Sequence, residues 1–334
     1  MDAKTEKVSV KELKDRANAG DADAQNQLGD RYKDGDGVKQ NDDEAVKYFR
    51  MAAAQGNRRG EYNMGWMCHR GRGMPLDYGE TVRWYRLAAE KGEAFAQCNL
   101  GFMYSEGLGV EKDDAEAIKW FKLAAENGDS MAYYNVGNMY YNGEGVEADV
   151  KEAIKWMEKA AEMEYEDAYS YLGYIYLVWE NSENDPVKAF KWFKLASETG
   201  DAESQYYLAG MYFNGEGVEL DRKESVKWLK KSAKQGDSDS QCFLGKLYAS
   251  GNEVTQSYGD AYKMFKSAAE QDHPDAIFYM GLMYESGEGV RIDELKALEY
   301  YKKAAEMGHE AAKGELKRLK NELSQSLAKK QKSK

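Results

Sequence analysis

The chain has 334 residues, a formal net charge of −12 and a sequence pI near 5.0. Mean hydropathy is −0.81 and the longest unbroken apolar run covers only residues 171–179, about half of what a bilayer span needs, so the composition excludes an integral membrane protein. The acidic balance argues against nucleic-acid binding, and three irregularly spaced cysteines argue against a disulfide scaffold.

The first predicted element is a helix within residues 1–20. This segment contains no recognisable secretory leader, so we expect a cytoplasmic protein. Val8 to Ala19 has the pattern of the second half of the repeat that follows, because Gly20 lies 36 residues before Gly56. We therefore predict that residues 1–20 form an N-terminal capping half-repeat, which covers the open face of the first full repeat.

The next segment, residues 21–308, repeats with a period of 36 residues. The pair Leu28-Gly29 recurs in register at every step, as Met64-Gly65, Leu100-Gly101, Val136-Gly137, Leu172-Gly173, Leu208-Ala209, Leu244-Gly245 and Met280-Gly281. A fixed period of this length indicates a solenoid built from small supersecondary units. The predicted repeats are 21–56, 57–92, 93–128, 129–164, 165–200, 201–236, 237–272 and 273–308.

Each repeat is predicted to contain two helices, as residues 129–164 illustrate. Met131 to Tyr141 places its apolar residues at helical spacing. Gly143-Glu144-Gly145 then ends this helix, since glycine adopts the positive φ that a helix end often requires. Asp149 caps the second helix and is predicted to form a capping box with Glu152, a pair that recurs at Asp77/Glu80, Asp113/Glu116 and Asp221/Glu224.

Two repeats depart from the Gly-x-Gly pattern. The fifth reads Trp179-Glu180-Asn181-Ser182 at this place, and the seventh has Glu253 at the second glycine. The fifth-repeat segment is open to two interpretations. It is either a loop that turns by another geometry, or a contact at the rim near Trp179 with a small change in superhelical curvature.

Residues 309–334 follow the last repeat and are predicted to form a C-terminal capping helix and a basic tail. From Glu310 to Lys334 there are eight basic and three acidic residues, a net charge of +5. Such a tail is typical of a solvated terminus, and contact with membrane phosphate or nucleic acid is the alternative.

The repeat resembles the Sel-one-like repeat (SLR), a relative of the tetratricopeptide repeat with a longer unit. The third repeat carries the whole pattern: Ala96, Leu100-Gly101, Met103-Tyr104, Gly107, Gly109-Val110, Asp113, Ala117, Trp120, Ala124-Ala125 and Gly128. The resemblance implies an all-α fold, a right-handed α/α superhelical solenoid of eight helix-turn-helix repeats with a concave inner surface and capping helices. It also implies an adaptor, because members of this family mostly hold other proteins together.

No catalytic, cofactor-binding or metal site is predicted, and we expect a protein that is not an enzyme. His69, His273 and His309 occupy different positions of the repeat, so they cannot form a regular metal site. Some cysteine-rich relatives are associated with penicillin binding and β-lactamase activity, but they carry a disulfide pair in each repeat, which this chain lacks. Ser326 and Lys329 fit an S-x-x-K pattern in the basic tail, without its partner motifs.

The exposed side of the first helices is the predicted binding surface. Helical geometry places the positions two before, two after and five after the Leu of Leu-Gly about 140–160° from the buried face, on the side that lines the groove of such a superhelix. An exposed face is ordinarily polar, whereas these positions are rich in aromatic rings in repeats two to six. The predicted partner-binding residues are Tyr62, Trp66, His69, Phe102, Tyr134, Tyr141, Tyr174, Leu177, Tyr206 and Phe213.

The sequence therefore predicts a scaffold that binds a protein or peptide segment in an aromatic-lined groove. Acidic first-turn residues near the same edge, Asp167, Glu203 and Asp239, favour a basic or amphipathic segment. One alternative is that the rings pack between adjacent first helices and do not bind a partner. Two other functions stay open: a β-lactam-binding or β-lactam-hydrolysing enzyme like the cysteine-rich relatives, and a structural protein that assembles with itself. The partner, the pathway and the oligomeric state are not determined by the sequence.

Overall fold

A computed structural model describes residues 8–178 and 184–332, with side chains over 8–177 and 184–325, and these residues contain no β-strand. The fold-class prediction of an all-α helical repeat is confirmed. The fifth-repeat segment from Trp179 to Ser182 lies outside the described residues. The helices are α1 (Val10–Asn18), α2 (Ala22–Asp34), α3 (Asp42–Ala54), α4 (Arg58–Arg70), α5 (Tyr78–Glu90), α6 (Ala94–Glu106), α7 (Asp114–Glu126), α8 (Ser130–Asn142), α9 (Val150–Glu162), α10 (Asp167–Val178), α11 (Pro186–Thr199), α12 (Ala202–Asn214), α13 (Arg222–Gln235), α14 (Ser238–Ser250), α15 (Tyr258–Ala269), α16 (Pro274–Ser286), α17 (Glu294–Glu306) and α18 (Glu310–Lys332).

The chain divides into two compact units, Met1–Ala168 and Tyr169–Lys334. In the first unit, helices α1 to α9 pack in chain order, each against the helix before it and the helix after it. In the second unit, α11 to α18 pack in the same way. Consecutive helical hairpins therefore form a solenoid within each unit, in which a repeat is stabilised mainly by its neighbours.

The glycine of the Leu-Gly pair allows the two helices of one repeat to approach closely. In the third repeat, a Cβ on Gly101 would lie 2.8 Å from Cδ1 of the buried Phe121 ring. Helices α6 and α7 therefore enclose this ring only because position 101 has no side chain. In the sixth repeat Ala209 replaces the glycine. The position equivalent to Phe121 is there occupied by the smaller Leu229.

The Gly-x-Gly turn needs glycine for two reasons. Gly107 and Gly109 both have positive φ, 67° and 68°, and a Cβ on Gly109 would collide with the backbone of Tyr78 in the preceding repeat. In the seventh repeat Glu253 keeps the left-handed conformation with a φ of 63°. The turn is therefore retained although this repeat lacks the second glycine. The Glu253 carboxylate also pairs with Arg222 of the preceding repeat at 3.0 Å, which adds an ion pair between the two repeats.

The four predicted aspartate caps are confirmed, at Asp77, Asp113, Asp149 and Asp221, whereas α3 and α15 begin with Asn41 and Ser257. Asp149 accepts a hydrogen bond from the backbone N–H of Glu152 (3.0 Å). The glutamate half of the capping-box prediction is wrong, because Glu152 pairs with Lys155 at 2.8 Å instead. The reason is that the backbone N–H of Asp149 already donates to the carbonyl of Tyr140 (2.9 Å). The glutamate is therefore not needed to satisfy that donor.

Helices α1 and α18 pack on the repeats next to them. Leu13 and Ala17 of α1 are buried in a cluster with Leu28 of α2. On α18, Leu319 is buried against Tyr301 of α17. Each helix thus covers an apolar face that a further repeat would cover in the interior of the array.

Candidate protein-interaction surface

The first-helix face is the side of the first helix of each repeat that carries the positions two before, two after and five after the Leu of Leu-Gly. On α4 these positions are Tyr62, Trp66 and His69, and all three side chains are half-buried. The Tyr62 ring lies 6.0 Å from the ring of Tyr85 on α5 and 6.0 Å from the ring of Phe95 on α6. One side of Tyr62 therefore packs between repeats.

Two cations contact the Trp66 ring. Lys33 Nζ lies 5.5 Å from the ring centroid, and the guanidinium carbon of Arg72 lies 5.4 Å from it. Lys33 pairs with Asp30 at 3.0 Å, and Arg72 pairs with Asp42 at 2.6 Å, so both cations are held in place. These cation–π contacts reduce the ring area that Trp66 can offer to a partner.

His69 is part of a small aromatic group. Its Nδ1 lies 3.4 Å from the Tyr85 hydroxyl, and its ring meets the ring of Tyr78 edge-on at 5.8 Å. Burial, with a smaller contribution from Arg70, lowers the pKa of His69. The neutral imidazole is therefore favoured in the folded protein.

The most exposed rings of the first unit lie on α6. Phe102 is 42% exposed, and Phe95, seven residues earlier, is 57% exposed. Seven residues are two helical turns, so the rings share one side of α6 and lie about 10 Å apart along its axis. On α8, Tyr134 and Tyr141 are half-buried, and the Tyr134 ring lies 5.4 Å from that of Tyr165.

Two exposed residues, Phe95 and Met131, lie on this side of their helices but are absent from the predicted set. Met131 on α8 is 38% exposed. Both occupy the position five before the Leu, which helical geometry places about 140° from the buried face. This position lies only about 20° around the helix from the position two after the Leu, so extending the same reasoning by one position would have found them.

The second unit contains four residues of the predicted set, of which all but Tyr174 are half-buried: Tyr174, Leu177, Tyr206 and Phe213. Tyr174 is 39% exposed, and its hydroxyl lies 2.7 Å from the hydroxyl of Tyr207 in the next repeat. The Phe213 ring lies 5.1 Å from the ring of Phe243, also in the next repeat. Both partners stand one residue before the Leu of their own repeat, where inter-repeat packing is expected.

The prediction that every position two before the Leu faces outward is wrong for three repeats. Asn26, Cys98 and Cys242 are at most 5% exposed. In the first unit the cover comes from the next repeat: Asn63 Nδ2 donates to Asn26 Oδ1 (2.8 Å), and Asn135 Nδ2 lies 3.7 Å from Cys98 Sγ. Side chains at this position therefore serve inter-repeat packing, and only part of a large ring stays exposed.

Acidic side chains cluster at the first turns of α12 and α14. Burial, together with the nearby carboxylates of Asp201, Asp237 and Asp239, raises the pKa of Glu203. Asp239 Oδ1 also lies 3.2 Å from Nε2 of His273. This part of the first-helix face is negative, which complements a basic segment.

The described residues contain no group of three or more His, Cys, Asp or Glu side chains that could hold a metal ion. Burial raises the pKa of the Cys98 thiol and raises that of Cys242 to about 12, so both thiols are protonated at neutral pH and are poor nucleophiles. Ser326 lies in α18 beyond the last described side chain. Over the described ranges, each helix is too short or too polar to cross a membrane.

Known proteins with the same repeat were found by comparison of sequence and structure. The profile of the Sel1 repeat matches residues 22–57, 59–93, 94–129, 130–165, 166–201, 202–237, 238–273 and 274–309. Among solved structures, the chain is 37% identical to c5321, a protective antigen present in uropathogenic Escherichia coli strains and displaying an SLR fold, with a TM-score of 0.88 over 93% of this chain and 67% of that one. It is 30% identical to a Sel1 repeat protein from Oxalobacter formigenes, with a TM-score of 0.70 over 92% of this chain and 89% of that one. No curated protein matches the chain significantly.

Proposed function

The chain belongs to the Sel1 repeat family, and from that premise we propose that it is a non-catalytic scaffold that binds a segment of another protein on the first-helix face of its repeats. Repeat folds of this kind commonly serve protein–protein interaction, since stacked hairpins present one long, preformed surface. A preformed surface lowers the ordering cost of binding.

The observation that carries this proposal is the pair of exposed phenylalanines on α6. Phe95 and Phe102 are 57% and 42% exposed, although phenylalanine has no polar atom that gains from contact with water. The half-buried ring of Tyr62 on α4 lies 6.0 Å from the Phe95 ring and extends the apolar surface beside it. An apolar side chain of a partner would be desolvated against these rings, and truncation of such central rings typically costs more than about 1 kcal/mol of binding free energy.

The test is a paired affinity capture from lysate of the source cells, with bound proteins identified by mass spectrometry. One bait is the native chain, and the second carries Phe95→Ser and Phe102→Ser. A third bait carries Leu87→Ser and Leu123→Ser on α5 and α7, which remove side chains of similar exposure, 44% and 41%, from the second helices. Circular dichroism checks that all three baits are folded.

We expect a protein that the native and Leu87/Leu123 baits retain and the Phe95/Phe102 bait loses. If all three baits retain the same proteins, the first-helix face of α6 is not the binding surface. If the captured protein is the chain itself, and light scattering shows a mass that rises with concentration in the native chain only, the rings join copies of this chain.

A further inference from the structure

The second helix of the sixth repeat, α13, carries five lysines on one side. The α13 lysine stripe consists of side chains that are all exposed, Lys223, Lys227, Lys230, Lys231 and Lys234. Their spacing places them within about 100° around the helix axis and along about 16 Å of its length. The opposite side of the helix is buried, with Leu229 inaccessible to solvent.

The stripe lies in a chain with a net charge of −12. Within α13, the acidic residue is Glu224, which pairs with Lys227 at 2.5 Å. Like charges four residues apart destabilise an isolated helix by about 0.2–0.5 kcal/mol per pair, and the stripe contains three such pairs. Lys227 is held by its ion pair, Lys231 Nζ lies 3.6 Å from the centroid of the Trp228 ring, and Lys234 in the last turn complements the helix dipole. Stability of the helix therefore does not account for the two remaining lysines, Lys223 and Lys230.

A depression of about 530 Å³ lies beside the stripe. Lys223 and Lys230 stand at its edge, and Val226, Tyr248 and Val254 give it apolar lining. The carboxylates at its border are already neutralised: Glu253 pairs with Arg222 at 3.0 Å and Asp260 pairs with Lys263 at 3.0 Å. An occupant would thus meet unpaired lysine charge next to a pocket of mixed lining, in which Thr255 and Ser257 accompany the apolar side chains.

We infer that the α13 lysine stripe and this depression form a second docking site, which takes an acidic protein segment carrying an apolar side chain. Carboxylates of the segment would contact the lysines, and the apolar side chain would fill the depression. The site is separate from the first-helix face, because none of its residues occupies the positions two before, two after or five after the Leu of Leu-Gly. It gives the scaffold a second kind of partner, opposite in charge to the basic segment that the acidic turns of α12 and α14 favour.

Two observations favour a protein segment over a nucleic acid or an anionic lipid surface. A nucleic-acid duplex or a bilayer presents phosphates to a basic surface and keeps its stacked bases or acyl chains behind them, whereas a peptide can present a carboxylate and an apolar side chain together. The stripe is also short, and a long polyanion that extended past it would approach a body that is acidic as a whole.

The test is fluorescence anisotropy of a labelled twelve-residue peptide of Glu and Asp with one central Leu, titrated with the full chain at low and at high salt. One variant carries Lys223→Gln, Lys230→Gln and Lys234→Gln. The matched control carries Lys296→Gln, Lys302→Gln and Lys303→Gln, which removes the same charge from α17. We expect the stripe variant to bind at least tenfold more weakly and the control to stay within twofold of the native chain, with binding weakened by salt.

Three results would overturn this assignment: no binding by the native chain at low salt, equal weakening in both triple variants, or unchanged affinity when Ser replaces the Leu of the peptide. A single-stranded oligonucleotide or anionic vesicles that bind through the stripe more tightly than the peptide would show that the occupant is not a protein segment. The Phe95→Ser and Phe102→Ser variant should bind the peptide normally. Failure at one surface is therefore distinguishable from failure at the other.

Discussion

At the scale of single residues, the repeat is governed by pairs that compensate each other in size. Gly101 leaves room for the Phe121 ring, and the same glycine faces a ring or a methionine at the equivalent place in most repeats. The sixth repeat has Ala209 with Leu229, a larger residue on one helix and a smaller one on the other. Either pair fits the interior of the repeat, because close packing limits the combined volume of the two side chains.

This compensation gives a double-mutant prediction. Gly101→Ala should lower the free energy of unfolding by about 1–3 kcal/mol, because the new methyl group would lie 2.8 Å from the Phe121 ring. Adding Phe121→Leu recreates the pair of the sixth repeat and should recover part of that loss, as measured by urea denaturation. Gly210→Ala is the control, since a Cβ there meets nothing within 4 Å, and it should stabilise α12 by up to about 1 kcal/mol. A double variant as unstable as the sum of its single changes would contradict this account.

His69 gives a prediction about pH. Burial lowers its pKa from the ordinary 6.5, so the unfolded chain binds a proton more readily than the folded one. Stability that is present above the ordinary pKa is therefore lost as the pH falls through it. Between about pH 7.5 and 5.5, the thermal midpoint of His69→Gln should fall less than that of the native chain. An equal fall in both proteins would show that this imidazole is not desolvated by folding.

At the scale of helices, a buried polar side chain three residues before the Leu joins neighbouring elements. Gln97 Nε2 donates to the carbonyl of Ala89 at the end of the preceding helix (3.0 Å), and its Oε1 accepts from Asn127 (2.9 Å). In the second repeat Glu61 and Lys91 occupy the same two places and form an ion pair. Three other repeats use two glutamines: Gln25 with Gln55, Gln205 with Gln235 and Gln241 with Gln271.

In the second repeat, the Glu61–Lys91 ion pair should be replaceable by the two glutamines that the first repeat has at these positions. Lys91→Gln alone leaves the buried Glu61 carboxylate without its cation and should cost about 1–3 kcal/mol of unfolding free energy. Glu61→Gln combined with Lys91→Gln recreates the Gln25–Gln55 pair and should lie within about 1 kcal/mol of the native chain. Urea denaturation of both single variants and the double variant measures the coupling. Additive losses would mean that the two side chains do not act as a pair.

At the scale of the whole molecule, each unit is built from local apolar clusters that follow one another along the chain. Val46 and Phe49 of one repeat share a cluster with Met64 of the next repeat in the first unit. In the second unit, the last cluster contains Tyr301 and is completed by Leu319 of α18. A repeat at the end of such an array exposes apolar surface unless a helix covers it.

Removal of α18 should therefore destabilise the second unit. A chain ending at His309 exposes the cluster around Tyr301, so we expect a thermal midpoint lower by several degrees and increased binding of an apolar dye. A chain ending at Gln325 keeps Leu316, Leu319 and Leu323, all within the packed part of the helix, and should behave as the native chain does. If both truncated chains match the native one, α18 does not stabilise the end of the array.

The fold was predictable because its determinants are local and repeated in register. The predicted helix from Met131 to Tyr141 corresponds to α8, Ser130–Asn142, and Asp149 caps the helix that follows. The candidate surface was predictable only in part. Phe102 and Tyr174 are exposed as helical angles predict, whereas the angle that applies to Tyr62 also applies to the buried Cys98. The angle of a residue around its own helix does not specify where the next helix lies, so it does not specify whether that residue is covered.

The sequence by itself determined the repeat, the helix ends and the residues that share a side of each helix, since these depend on spacing along the chain and on the conformations of glycine and aspartate. Tertiary structure decided how much of each side chain stays exposed. Asn135 covers Cys98, cations cover Trp66, and Phe95 is left open, because neighbouring hairpins bring these groups together or hold them apart. Exposure is a property of several helices at once, so a single helical pattern cannot specify it.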